Sequence, residues 1–170
     1  LAGHKMGDVI KLTTPITTQA AKKLRAGDRV CLSGSLFTAR DMAHKRLCEA
    51  IKSGKEMPFD LRGSVIYYVG PTPARPGTAI GAAGPTTSSR MDRFSPYLYA
   101  RGVKATIGKG YRSEDVQKSL KKNGAVHLSA TGGAGALLSK HIVSVGVVAY
   151  DDLGTEAVRE LGVVDFPAVV

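Results

Sequence analysis

Seven apolar runs of strand length recur along the chain, at residues 9–12, 30–37, 65–69, 105–107, 126–128, 142–148 and 163–169. They are rich in Val and Ile, which suit a pleated, buried surface, and Gly or Pro bounds them. Stretches of helical spacing lie between some of them. Ala39, Ala43, Leu47, Ala50 and Ile51 share one helix face, with Thr38 the expected N-cap and Gly54 the stop. Ser113 is placed to cap a second helix. Glu114 and Asp115 fill its first turn, Lys121, Lys122 and Gly124 close it, and Val116 and Leu120 face inward. A short third helix is expected over 155–161, closed by Gly162. The alternation predicts an α/β fold around a mainly buried sheet. A length of 170 residues suits one domain over 1–170.

One stretch breaks the alternation. Residues 70–89 read GPTPARPGTAIGAAGPTTSS, with Arg75 the sole charge. Such composition can be a linker. However, a long loop inside a compact domain usually works as a binding loop or lid, and interdomain linkers are more polar. An active-site loop is the expectation.

Charge and cysteine content narrow the partners. Net charge is +10, and residues 1–149 hold 23 bases against 9 acids. Such a field attracts anions, from nucleic acid to small carboxylates, although a solvated basic face produces the same count. A nucleic-acid module would interleave aromatics with its bases. The best such patch sets Tyr97, Tyr99 and Tyr111 near Arg101, Lys104 and Arg112, in a chain with four Phe, six Tyr and no Trp. No run approaches the ~20 apolar residues of a membrane span. The start LAGHKMGDVI lacks a long apolar core with a cleavage site, so no secretory signal is expected. Cys31 and Cys48 allow at most one bridge, which fits a reducing cytoplasm. Two thiols also fall short of the three or four that an iron–sulfur cluster takes.

Three clusters join a base to a glycine or a helix start. In Thr38-Ala39-Arg40-Asp41 a strand hands over to a helix, where amides and a guanidinium can seat a carboxylate. A surface pairing of Arg40 with Asp41 accounts for the same residues equally well. His44, one turn on, has no second His or Cys at ligand spacing and reads as a surface or packing histidine. In Gly84-Pro85-Thr86-Thr87-Ser88-Ser89-Arg90, one helical turn would bring Thr86 and Arg90 to the same side. Four hydroxyls in a row are otherwise a cap or turn. Gly108-Lys109-Gly110 follows a strand and lets a ligand approach the backbone beside a point charge; a tight turn with a solvated lysine is as good a reading. Residues 129–135, SATGGAG, match neither a Walker loop nor the dinucleotide fingerprint and read as a packing or anion-binding turn. Together these clusters suggest a site for a small dianion.

The segments LFTARDMAHKRL, YYVGPTPARPG, GAAGPTTSSRMD, TIGKGYR and SATGGAGALL, in this order, resemble the beta subunit, or C-terminal half, of class I fumarases and tartrate dehydratases. The resemblance runs over nearly the whole chain, about residues 8–165, and the GPTT-x-x-R-M-D block is its most specific part. It implies a swivelling β/β/α three-layer domain that works only with an alpha subunit, in an assembly such as two alpha plus two beta. The alpha subunit would bind a 4Fe–4S cluster through three cysteines, with one iron open as a Lewis acid. The substrate implied is a C4 dicarboxylate: fumarate hydrated to (S)-malate, or L-tartrate dehydrated. Carried over by motif, Arg40, Arg90 and Lys109 bind substrate carboxylates. Thr86 takes the place of a proposed base for the C3 proton, with Thr87 its rival should the match slip by one. A free threonine is too weak an acid for this, so a carboxylate of the partner would have to activate it.

Overall fold

The computed structural model describes residues 8–130 and 135–170; residues 1–7 and positions 131–134 of the SATGGAG turn lie outside the described residues. All seven expected strands form. Val9–Thr13 (β1) pairs in parallel with Arg29–Thr38 (β2), and the short helix Thr18–Lys22 (α1) lies between them. Asp41–Lys52 (α2) connects β2 to Val65–Tyr67 (β3). The long loop and Ser95–Ala100 (α3) lead to Ala105–Gly108 (β4), and Glu114–Asn123 (α4) leads to Val126–Ala130 (β5). β2, β3, β4 and β5 are parallel neighbours in that order, as helical crossovers require. Gly135–Leu138 (α5) precedes Ile142–Ala149 (β6), and Val158–Val169 (β7) ends the chain.

β7 closes the sheet on itself. It runs antiparallel to β2 from the Arg29–Val169 pair to the Phe37–Glu160 pair, and its other edge takes β6 near its start and β5 at its end. Hydrogen bonding therefore passes from β2 through β3, β4, β5 and β7 back to β2, with β1 and β6 outside the ring. The two-residue period of a strand then sends alternate side chains into two cores. Val65 and Tyr67 of β3 join Leu32, Leu36, Ile107, Leu128, Leu161 and Phe166 in a core fed by every strand of the ring. Ile66 and Tyr68 face the other way and pack with Leu47 of α2, Leu98 of α3 and Val116 of α4. Both faces of β3 are covered, which is why its sequence is an unbroken apolar run.

Two local expectations are corrected. Residues 155–161 are not a helix: Asp151–Glu156 forms 3-10 turns, and the chain extends into β7 from Val158. Pairing with β2 on one edge and β6 on the other outweighs the local helix signals. Gly162 is a close-packing position rather than a helix stop, since a Cβ there would lie 2.2 Å from Ser144 Oγ. Thr38 does not cap α2 either. Its hydroxyl bonds Ala157 O (3.3 Å) and accepts the Arg159 amide (3.0 Å), and Arg40 takes the N-cap position without a side-chain bond. Ser113 does cap α4, accepting the Val116 amide at 3.3 Å, and Gly124 closes that helix in the left-handed region.

Candidate active site

Parallel pairing sets the carboxyl ends of β2, β3, β4 and β5 at one end of the sheet, the usual place for ligand sites in such folds. Three of the loops that leave there carry the basic clusters. Residues 70–89 depart from the end of β3 and return to it, where the Thr86 amide donates to Tyr68 O at 2.7 Å. The segment is therefore a loop of this sheet and not a linker. It is held in shape by Thr72, whose amide donates to Ala82 O (3.1 Å), whose carbonyl accepts the Gly81 amide (3.1 Å) and whose Oγ1 accepts the Ala82 amide (2.7 Å). Ile80 and Ala83 are buried in the ring core.

The end of this loop lies along the end of β4. The Lys109 amide donates to Thr86 O at 3.3 Å and the Ser88 amide to Lys109 O at 2.8 Å, a parallel bridge centred on Thr87 and Lys109. Thr86 is half-buried, while Thr87 and Lys109 are exposed. Thr87 precedes the 3-10 turn Ser88–Met91 in extended geometry, so the helical turn expected to align Thr86 with Arg90 does not exist. Arg90 is drawn in from another direction: its Nη2 donates to Asp41 Oδ2, in the first turn of α2. Asp41 thus pairs with Arg90 and joins two clusters far apart in sequence.

Arg40 lies against the end of β3. A Cβ on Gly70 would sit 2.5 Å from Arg40 Nη1, so the missing side chain makes room for the guanidinium. Arg40 Nε is buried and makes no hydrogen bond among the described residues. One turn on, His44 is fully buried, edge-on to Tyr68 with ring centroids 5.3 Å apart. Its Nδ1 lies 2.8 Å from Arg40 O, and a carbonyl only accepts, so Nδ1 carries the proton. Burial lowers its pKa to about 4. It is a packing histidine.

A buried polar cluster under the loop escaped the sequence. Arg112 Nε donates to Asp92 Oδ1 (2.7 Å) and its Nη2 to Ser95 Oγ (2.6 Å). Its Nη1 reaches Tyr68 OH (3.1 Å), Tyr99 OH (3.2 Å), Thr106 Oγ1 (3.3 Å) and His127 Nδ1 (3.2 Å). The other His127 nitrogen meets Ser88 Oγ at 3.0 Å. These side chains come from α3, β4, β5, the residue that follows β3 and the loops between, so no local spacing announces them. Their burial also dismantles the aromatic–basic patch considered for nucleic acid, because Tyr99 and Arg112 belong to the interior.

Metal ligands are not grouped among the described residues. Cys31 is on β2 and Cys48 on α2, and burial pushes the Cys48 thiol up to about 11. Among the described residues no three His, Cys, Asp or Glu side chains come together to hold a metal ion. Among the same residues no helix is long and apolar enough to cross a membrane.

A family model described as Fumarase C-terminus matches residues 2–170. The chain is 38% identical over 165 residues, 95% of its length, to a Leishmania major protein named fumarate hydratase 2, of which it spans 29%. It is 38% identical over 144 residues, 84% of its length, to the aerobic class I fumarate hydratase of Escherichia coli, of which it spans 26%. A Methanocaldococcus jannaschii protein provisionally named L(+)-tartrate dehydratase subunit beta is 38% identical over 160 residues. That match covers 91% of this chain and 82% of the relative.

Proposed function

This chain belongs to the Fumarase C-terminus family, and on that premise we propose that it is the beta part of a hydro-lyase that adds water to fumarate to give (S)-malate. The observation that supports the reading is the backbone bridge that ties the Thr86–Thr87 turn to Lys109, together with Arg90 paired to Asp41, the neighbour of Arg40, at the carboxyl end of the sheet. Arg40 keeps a buried donor without a partner among the described residues. A buried N–H left unpaired costs about 1–3 kcal/mol, so the place of this guanidinium against the end of β3 runs against stability, as expected of a functional group.

In the dehydration direction the two arginines and Lys109 hold the carboxylates of malate, and the Thr86 hydroxyl removes the C3 proton as the C2 hydroxyl departs. Thr86 is favoured over Thr87 because it is half-buried, whereas Thr87 is exposed. The threonine needs a carboxylate to activate it, and we assign that group to an alpha subunit or alpha half. The donor set of this chain does not fit an iron–sulfur cluster, so we place a 4Fe–4S cluster on the alpha part as well. Single-domain organisation over 1–170, the swivelling three-layer form, an assembly such as two alpha plus two beta and a cytoplasmic setting complete the proposal. L-tartrate dehydration is the second reading, favoured because the relative spanned over 82% of its length carries that name.

The test is anaerobic purification with the cysteine-bearing partner, followed by assays on fumarate, malate and both tartrates. Fumarate hydration is expected. Thr86→Ala should lower kcat by roughly 10²–10⁴, and Thr87→Ala should cost about 1 kcal/mol or less. A higher kcat/KM for L-tartrate would move the assignment to the second reading. A partner-bound complex inert toward all four substrates would overturn both.

A further inference from the structure

The buried cluster beneath the loop meets the turn that carries Thr86 through the side chain of Ser88. Arginine has only donors, so where Arg112 Nη1 spends one of its two hydrogens on His127, 3.2 Å away, Nδ1 accepts it. The Thr106 hydroxyl lies 2.8 Å from the same nitrogen, and Tyr99 OH lies 2.6 Å from Thr106 Oγ1, so polar partners enclose that edge of the ring. With Nδ1 accepting, the ring proton sits on Nε2 and is donated to Ser88 Oγ, 3.0 Å away. Ser88 is fully buried, and β4 makes space for it: a Cβ on Gly108 would lie 2.2 Å from Ser88 Oγ and 2.9 Å from Tyr68 Cδ2. The Ser88 amide is fixed independently on Lys109 O. Both ends of this residue are thus tied down, one to the strand that carries Lys109 and one to the cluster.

We propose that His127, held between Arg112 and Thr106 on one side and Ser88 on the other, is a positioning residue that holds Ser88 and through it sets the Thr86 hydroxyl against the substrate. The inference rests on the hydratase reading with Thr86 as base. Two other roles fit less well. A proton relay would need His127 to take a proton, yet burial and the Arg112 charge lower its pKa to about 3, and its free lone pair is already engaged. A metal ligand would need the same lone pair. A neutral, oriented donor under a catalytic turn is what remains, and misplacing a reacting group by about 1 Å can cost about a hundredfold in rate.

The experiment uses the complex with its partner and compares Ser88→Ala, His127→Leu, His127→Gln and Thr86→Ala. Ser88→Ala removes one hydroxyl and is the variant that should fold whatever the fate of His127→Leu. We expect Ser88→Ala and His127→Leu to lower kcat about ten- to a hundredfold with KM within about twofold. His127→Gln retains a side-chain N–H and should recover most of the loss. Amide hydrogen exchange gives a readout free of turnover: the Ser88 and Lys109 amides should exchange about tenfold faster or more in Ser88→Ala. Wild-type kcat in Ser88→Ala with an inactive Thr86→Ala overturns the positioning role and leaves the base intact. A higher KM at unchanged kcat also overturns it, as does a Gln variant no better than Leu in a folded complex. Full activity in Thr86→Ala instead removes the base assignment, and faster or unchanged exchange then supports or overturns the tether on its own.

Discussion

Arg90 and Asp41 show how a single pairing changes the meaning of a residue. Read along the chain, Asp41 belongs to Arg40 and Arg90 to Thr86. In the fold Asp41 bonds Arg90 from the first turn of α2, with Arg90 49% and Asp41 25% exposed. An ion pair this open contributes little stability, about 0–1 kcal/mol, so its consequence is the direction of the guanidinium. Arg90→Ala is expected to raise KM about ten- to a hundredfold through loss of a charge-assisted contact. Asp41→Ala, acting only through Arg90, should raise KM by a few-fold and add nothing in the Arg90→Ala background. Steady-state KM values for the two single variants and the double variant decide this; additive effects would give Asp41 a role of its own. The basic residues were legible in the sequence because each stands next to a glycine or a helix start. Arg112 and His127 were not, because their partners Tyr68, Ser95, Tyr99 and Thr106 assemble only through tertiary structure. The expected four-residue step from Thr86 to Arg90 failed because Thr87 is extended.

Among the elements, the strands were the most legible. Val65, Ile66 and Tyr67 are all fully buried, so their run of apolar residues has one physical explanation. The start of β7 reads as a helix in the sequence because Thr155 and Gly162 mimic helix caps, and only the neighbours β2 and β6 reveal the strand. α3 escaped notice because six residues, Ser95–Ala100, are too few to display a period. β2 depends on a feature of another kind. Its pairing with β7 shifts register between Leu32 and Gly34, and Gly34 has φ +120. Past this irregularity β2 leaves β1 and takes β3 on the same edge, which starts the ring. A Cβ on Gly34 would meet Thr14 Oγ1 at 2.3 Å and Thr14 O at 3.2 Å, and Thr14 Oγ1 already accepts the Ser35 amide. Gly34→Ala combines a disfavoured backbone with a clash and should lower stability by about 1–3 kcal/mol. Gly146→Ala on β6, with open space around the new methyl, should stay within about 0.5 kcal/mol. Urea midpoints of both variants test the contrast, and equal midpoints would show that the register shift tolerates a side chain.

At the scale of the whole molecule, the two cores differ in how they meet acid. The ring core is lined by aliphatic and aromatic side chains, whereas the helix-side layer encloses His44 and stands beside His127. Burial lowers the pKa of His44 from 6.5 to about 4, and burial with the Arg112 charge lowers His127 from 6.5 to about 3. Each ring is therefore neutral when folded at a pH where the unfolded chain would protonate it. Between pH 6.5 and about 4 the unfolded state binds up to two more protons than the folded one, so stability increases with pH across that window. The contribution is complete above pH 6.5 and is lost as the pH falls. For His44 the difference corresponds to about 3 kcal/mol. Two protons give a slope of at most about 3 kcal/mol per pH unit near pH 5, to which titrating carboxylates add their own part. His44→Asn keeps an N–H for Arg40 O and has nothing to titrate, and His127→Gln does the same at Ser88. Each variant should flatten the dependence of unfolding free energy on pH by about one proton between pH 4.5 and 6. Urea unfolding at half-unit pH steps measures those slopes. A slope unchanged in His44→Asn would mean that this imidazole is already charged in the folded molecule, against its placement between Tyr68 and Phe94.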